Sequence, residues 1–451
     1  MNPYLPHTEQ EIEEMLSVIG VESLEDLFAD IPGSVKLQRQ LDLAPGMCEF
    51  EVSMRLRALA DKNAARAVSF LGCGSYDHLI PSTVKHLISR SEFYTAYTPY
   101  QAEISQGFLQ AIFEYQTMIC ELTGLEASNA SLYDGHTAAC EAAVIALNSV
   151  RRSDTILYSE TLHPFTKQVL ATYFQGTSVQ LVEIAQKNGE PSLTDLREKL
   201  TPRVAGVIVQ SPNFFGCLED YTDLVEAVQA NKSLLIISSN PISLGLLKSQ
   251  GEWGADLAVG DTQPCGLPAT FGGPSVGYIG AKRELLRKMP GRIVGQSLDR
   301  DQRRAFLLTL QAREQHIKRE RATSNICSNQ ALAALATTVY LATLGPQGLK
   351  QVALLNARKA GYLYRRLVGE LSLKPLYSKP FFNEFSLRLP GKAAGTVLER
   401  MEEEGIFAGL ELARFYPERR EYRDVITVAV TEKRTRAELD RYVDTMKGIL
   451  Q

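Results

Sequence analysis

The chain has 451 residues, 45% of them hydrophobic and 22% charged, with a formal net charge of −4. That length accommodates two or three domains around a large core, and the composition is that of an ordinary globular protein. The small negative charge gives no electrostatic reason to expect nucleic acid or an anionic membrane as a partner. Seven scattered cysteines (Cys48, Cys73, Cys120, Cys140, Cys217, Cys265, Cys327) form no CxxC pair. That pattern argues for free thiols in a reducing compartment, and against a metal site or a disulfide framework. The N-terminal MNPYLPHTEQEIEEML is acidic and lacks an apolar core, so neither a signal nor a transit peptide is expected. No window approaches the ~18 apolar residues of a membrane span. The expected location is the cytoplasm.

In chain order, Thr8 to Glu11 is a capping box opening a helix that Gly20 can close. Ser23 caps a second short helix ending before Pro32. This amphipathic arm, residues 1–47, is too small for a core of its own. Apolar residues at helical spacing (Leu109, Ile112, Phe113, Met118, Ile119, Leu122) predict a helix over Phe108 to Leu122, closed by Gly124. From Thr137 to about Gly280, short apolar strands alternate with helices. Strands are expected at 155–158, 178–184, 204–209, 234–238, 256–259 and 276–279. Helices are expected at 137–150, 164–173, 193–199 and 224–230. Such alternation predicts a mostly parallel α/β sheet covered on both faces, within a large domain over 48–345. After a helical linker over Leu332 to Leu344 comes a small α+β domain, 346–451. Its strands are expected at 385–389 and 425–430 and its helices at 393–404 and 436–449, the last capped by Thr435 and Glu438.

Four stretches bear on chemistry. The loop Asn129–His136 leads into the helix near Thr137; locally an ordinary cap at Asp134 is the plainer reading, and the order of elements favours Gly135 and Thr137 at that helix start as an anion cradle. Val207–Gly216 is a buried strand entering a Pro-Asn turn, where Asn213 either faces a ligand or only shapes the strand exit. The strand Leu234–Ser238 runs into Ser239 and Asn240. In pyridoxal-phosphate (PLP) enzymes of the aspartate-aminotransferase fold (fold type I), a strand like this ends in an Asp that pairs with the pyridinium nitrogen. Asp256–Ser275 resembles the segment that carries the Schiff-base lysine in that fold. Counted back from Gly272-Gly-Pro274, the lysine position falls on Gln263, whose amide cannot form an imine. Lys282 lies beyond the turn, where it reads as a surface helix start; its use as an alternative lysine belongs to the stand-alone reading given below.

Thr95-Ala-Tyr-Thr-Pro-Tyr-Gln-Ala-Glu-Ile-Ser-Gln-Gly107 resembles the TAYTPYQxEISQG signature of glycine decarboxylase, the P-protein of the glycine cleavage system. Leu122-Thr-Gly-Leu125, Asn129-Ala-Ser131, Pro212-Asn-Phe-Phe-Gly216, Phe271-Gly-Gly-Pro274 and Arg321-Ala-Thr-Ser-Asn-Ile-Cys327 are similar to further family motifs. The matches span most of the chain, and its length resembles the alpha subunit (subunit 1) of the two-subunit form. His136 departs from the smaller residue expected there.

The resemblance implies a fold-type-I large domain with a small C-terminal α+β domain and an N-terminal helical arm. It implies that PLP sits on a partner beta subunit, and that glycine is decarboxylated and its aminomethyl group passed to the lipoyl arm of the H-protein. The T- and L-proteins are implied as functional partners. Because sites in this fold form at dimer interfaces, Tyr97, Tyr100, Glu103 and Ser105 are candidates to complete the partner's site, or else pack an interface. Thr323, Ser324 and Asn325 are candidates for phosphate or carboxylate contacts across the interface, or else cap the helix near Gln330. The charged run Arg313–Arg321 reads as a solvated helix face. No metal site is expected. Two other readings stand beside this one: a stand-alone PLP desulfurase or aminotransferase using Lys282, and a non-catalytic scaffold.

Overall fold

The computed structural model describes Tyr4 and residues 6–94 and 96–451. Thr95, which opens the tyrosine-rich signature, lies outside the described residues, as do residues 1–3 and 5. The chain divides into two compact units, Met1–Ala65 and Arg66–Gln451.

In the first unit, helix α1 (Glu9–Ile19) starts at Thr8 with the capping box its sequence spells and ends on Gly20 at φ 86°. A 3₁₀ turn, Leu24–Phe28, follows Ser23, and helix α2 spans Glu49–Ala60. Leu16 is this unit's one buried side chain among the described residues, whereas Val18, Leu43 and Phe50 are exposed. With one enclosed side chain among those described, this unit has little buried core.

The second unit is built on a seven-stranded sheet. Its strands are β1 (Ala127–Ser128), β2 (Thr155–Ser159), β3 (Gln180–Ile184), β4 (Val204–Gln210), β5 (Leu234–Ser238), β6 (Leu257–Asp261) and β7 (Gly277–Ala281), in spatial order β1-β7-β6-β5-β4-β2-β3. The pairs from β3 to β6 are parallel. Strand β7 runs antiparallel to both its neighbours. Central β4 is buried through Val209, as its unbroken apolar run (Val-Ala-Gly-Val-Ile-Val) requires when both faces are covered. Helix α3 (Gln106–Thr123) closes on Gly124 at φ 70°. Two glutamines of α3 grip a hairpin that the sequence did not announce, β8 (Ile293–Leu298) with β9 (Arg304–Thr309). The Gln106 amide exchanges two 2.8 Å bonds with the Phe306 backbone, and Gln116 exchanges two 2.9 Å bonds with Val294.

Helix α4 (Gly135–Leu147) packs its alanines (Ala138, Ala139, Ala142, Ala143, Ala146) against the sheet. Small side chains allow this close approach; a Cβ on Gly206 of β4 would lie 3.0 Å from the Ala146 methyl. Helix α5 (Pro164–Phe174) follows β2. The helical linker continues well past Leu344 as α6 (Ala331–Leu371), interrupted where Gly345 takes φ 60°, ψ 179° before Pro346. Strands β10 (Glu384–Arg388) and β11 (Val425–Ala429) pair antiparallel and pack with α7 (Ala394–Glu403) and α8 (Arg436–Leu450) around Leu387, Met401, Val428 and Tyr442.

The charged run does not form the helix expected of it. Residues 311–321 make three short turns, and Arg319 at φ 53° breaks any continuous helix. Nor is the run fully solvated. Glu314 is buried, and Arg313 turns inward to donate to the backbone oxygens of Met289 and Gly291.

Candidate functional site

A cleft opens at the carboxyl ends of β5 and β6, where open α/β sheets bind ligands. Its walls include Ser238, Ser239 and Asn240 after β5, Asp261 at the end of β6, Gly135 and His136 at the start of α4, and His163 and Thr166 at the start of α5. Gly74 and Tyr76 reach it from an early loop, and Asn383 and Glu384 from β10. The inner cavity is about 90 Å³, while a wider recess of about 640 Å³ shares Gly74, His136, His163 and Asp261 with it. Cofactor-sized ligands occupy sites of roughly 300–1,000 Å³, so the inner cavity alone is too small for one.

Burial governs the titrating groups. His163 is pushed down to about 4, by burial first and the neighbouring His136 second. Its Nε2 bonds the Cys73 carbonyl at 2.9 Å and its Nδ1 accepts from the Phe165 N–H at 3.1 Å, an arrangement that assigns the neutral Nε2–H tautomer. His136 is likewise lowered by burial; its Nδ1 lies 2.8 Å from the Thr166 hydroxyl, and its ring is 4.9 Å from that of His163. Burial raises the Glu384 carboxyl, which accepts from the Cys73 N–H at 2.6 Å and the Tyr76 hydroxyl at 2.8 Å. The Asn383 side-chain amide is buried with no partner for its Nδ2 among the described residues.

The residues expected to cradle an anion are already engaged. The Gly135 N–H donates to Asp261 at 3.0 Å, and Thr137 donates through N–H and hydroxyl to Asp134 at 2.8 and 2.9 Å. Gln263 turns its amide back on its own loop, donating to the Leu267 carbonyl at 2.6 Å. Among the described residues, no lysine lines the cleft. Lys282 instead pairs with Asp256 at 2.5 Å. Asn240 folds its Oδ1 onto the Ile242 N–H at 3.0 Å, and neither it nor Ser238 or Ser239 carries a negative charge. The residues present therefore do not fit PLP: the imine former and the acidic partner of the ring are both missing.

Asn213 belongs to the turn. Its Oδ1 accepts from Phe215 and Cys217 N–H, and its Nδ2 donates to the Gly189 carbonyl and to Glu219, so no bonding capacity is left for a ligand.

Among the described residues, Tyr97, Tyr100, Glu103 and Ser105 of the signature do not line the cleft. Tyr97 is 86% and Tyr100 58% exposed, and Glu103 is exposed as well. Ser105 differs from these three: at 4% exposure it is enclosed at the entry to α3, which Gln106 ties to the hairpin. Thr323 and Ser324 line a separate basic recess with Arg287, Lys288, Arg313 and Lys318. Neither they nor Asn325 caps α6; the Gln330 N–H at its start donates to the Ser131 hydroxyl.

Arg292 was not legible as a site residue. It is 3% exposed and donates to the Tyr100 hydroxyl oxygen at 3.2 Å, with its guanidinium 5.3 Å from that ring. Its Nε has no partner, and among the described residues no carboxylate pairs with it. A buried cation without a counter-charge violates the usual pairing rule, and that could have marked it had the burial been known.

The fold and the cleft define a subunit of the PLP-dependent fold-type-I class whose own cleft lacks the lysine. A cysteine desulfurase from Thermococcus onnurineus NA1 shares the fold at TM-score 0.63 and 14% identity, over 90% of this chain and 99% of that one. The family model for the glycine cleavage system P-protein matches residues 2–446. A protein of Carboxydothermus hydrogenoformans named as probable glycine dehydrogenase (decarboxylating) subunit 1 is 51% identical over 99% of both chains. A crystal structure of glycine decarboxylase (P-protein) in inhibitor-bound form matches at TM-score 0.90 and 42% identity, covering 99% of each chain. The chain belongs to the glycine cleavage system P-protein family.

Proposed function

We propose that this chain is the alpha subunit of a two-subunit glycine decarboxylase. With a PLP-bearing beta subunit it removes CO2 from glycine and passes the aminomethyl group to the lipoyl arm of the H-protein, in the cytoplasm, with the T- and L-proteins completing the system. The observation that carries this reading is the combination of full-length family membership with a cleft that has neither lysine nor acid for the cofactor. PLP, when bound to the partner, supplies an electron sink for loss of CO2.

The role assigned to this chain is to complete the partner's site from the Tyr97–Tyr100–Glu103 face. Arg292 supports that role. Because its N–H donates to the Tyr100 oxygen, the phenol keeps its own proton free to donate outward. Thr323, Ser324 and Asn325 are assigned to anion contacts across the same interface, where the basic recess around Thr323 and Ser324 favours negative charge. The stand-alone reading is weakened by Lys282, whose ammonium is engaged by Asp256.

The test is reconstitution. The purified chain should stay colourless with PLP, and borohydride should trap no lysine. Glycine-dependent CO2 exchange should appear only when the beta subunit is added. Exchange by this chain alone would overturn the reading.

A further inference from the structure

The start of α4 aims N–H groups at the place where an anionic ligand would sit in this fold class. Carboxylates of the chain already occupy that place. Asp261 takes the Gly135 N–H on Oδ2 at 3.0 Å, and the Ser275 hydroxyl on the same oxygen. Its Oδ1 takes the N–H groups of Gln263 at 2.8 Å and Val276 at 3.2 Å. One carboxylate thus ties together the helix start, the turn after β6 and the approach to β7. The absence of a side chain at position 135 makes the approach possible, since a Cβ there would come within 3.1 Å of Asp261. Asp134 takes two further donors of this turn, the Thr137 N–H and hydroxyl.

We infer that Asp261 is a built-in replacement for the cofactor's phosphate. It accepts from the Gly135 N–H and the Ser275 hydroxyl, donors that a phosphate monoester would otherwise take at this helix start. An incoming phosphate meets two carboxylates where free N–H groups would otherwise attract it. The consequence is a chain that does not draw PLP away from its partner; only this consequence rests on the glycine decarboxylase reading. The missing lysine removes the covalent link, and Asp261 independently removes the anion site.

Thermal denaturation of the full chain against inorganic phosphate, at constant ionic strength, tests the inference. Wild-type protein should show no saturable change in midpoint. Asp261→Ala should gain a saturable rise of about 1.5 °C at a tenfold excess of phosphate over its Kd. Asp261→Asn keeps the shape and removes the charge, and is read in the same way should the alanine variant fail to fold. A saturable rise in the wild type overturns the inference, and so does a folded variant that ignores phosphate. Neither arm measures turnover, so the result is separate from whether the complex decarboxylates glycine.

Discussion

Glu219 should make the stability of this protein fall as pH rises through neutrality. It is 9% exposed beneath the Pro212–Gly216 turn, takes the Asn213 amide at 2.5 Å, and leaves its second oxygen unpartnered. Burial pushes its carboxyl from an ordinary 4.5 up to about 8, against the opposing pull of the hydrogen bond from Asn213. Between those values the folded protein holds a proton that the unfolded chain releases, so stability declines with rising pH and levels off above pH 8. The difference corresponds to about 5 kcal/mol, of which about 4 falls between pH 5 and 9. At about 2.1 cal/mol/K per residue the unfolding entropy approaches 1 kcal/mol/K, so the effect is about 4 °C in Tm. Glu219→Gln imitates the protonated acid at every pH and carries at most a constant offset. Melting curves of wild type and Glu219→Gln across that range should therefore diverge in the variant's favour by about 4 °C. A Tm difference that stays constant within about 1 °C would refute the reasoning.

Two further outcomes follow from the geometry. Gly216 sits at φ 85°, and a Cβ there would lie 2.1 Å from the Glu384 carbonyl oxygen. Gly216→Ala should cost about 3 kcal/mol or more, read as a lower urea midpoint at unchanged slope; a midpoint like the wild type's would show that the Glu384 corner yields freely. In the assembled complex, Tyr100→Phe and Arg292→Leu should each lower glycine–CO2 exchange tenfold or more. The double variant should be little worse than either single one, because the two side chains act as a pair. Additive losses, or loss of assembly by gel filtration without loss of specific activity, would point to packing instead.

Much of the fold is written locally. The capping boxes at Thr8 and Thr435 and the closing glycines Gly20 and Gly124 stand where the residue pattern puts them. Every expected strand of the large sheet is present to within a few residues. Caps and periodicities are properties of neighbouring residues, so short windows of sequence carry them. Strand direction is not such a property. A fully buried strand reads the same either way along a sheet, so the reversal of β7 was invisible, and so was the hairpin held by Gln106 and Gln116.

The site divides in the same way. The loss of the lysine and of the acid is a matter of residue type at a motif position, and the sequence alone determined it. Which groups took over the cleft was decided only by the tertiary structure. Tyr76 meets Glu384 across 308 positions, Arg292 meets Tyr100 across 192, and Asp261 meets Gly135 across 126. Partners so distant leave no local periodicity, and what each group does depends on burial and counter-charge, which exist only once the chain has folded.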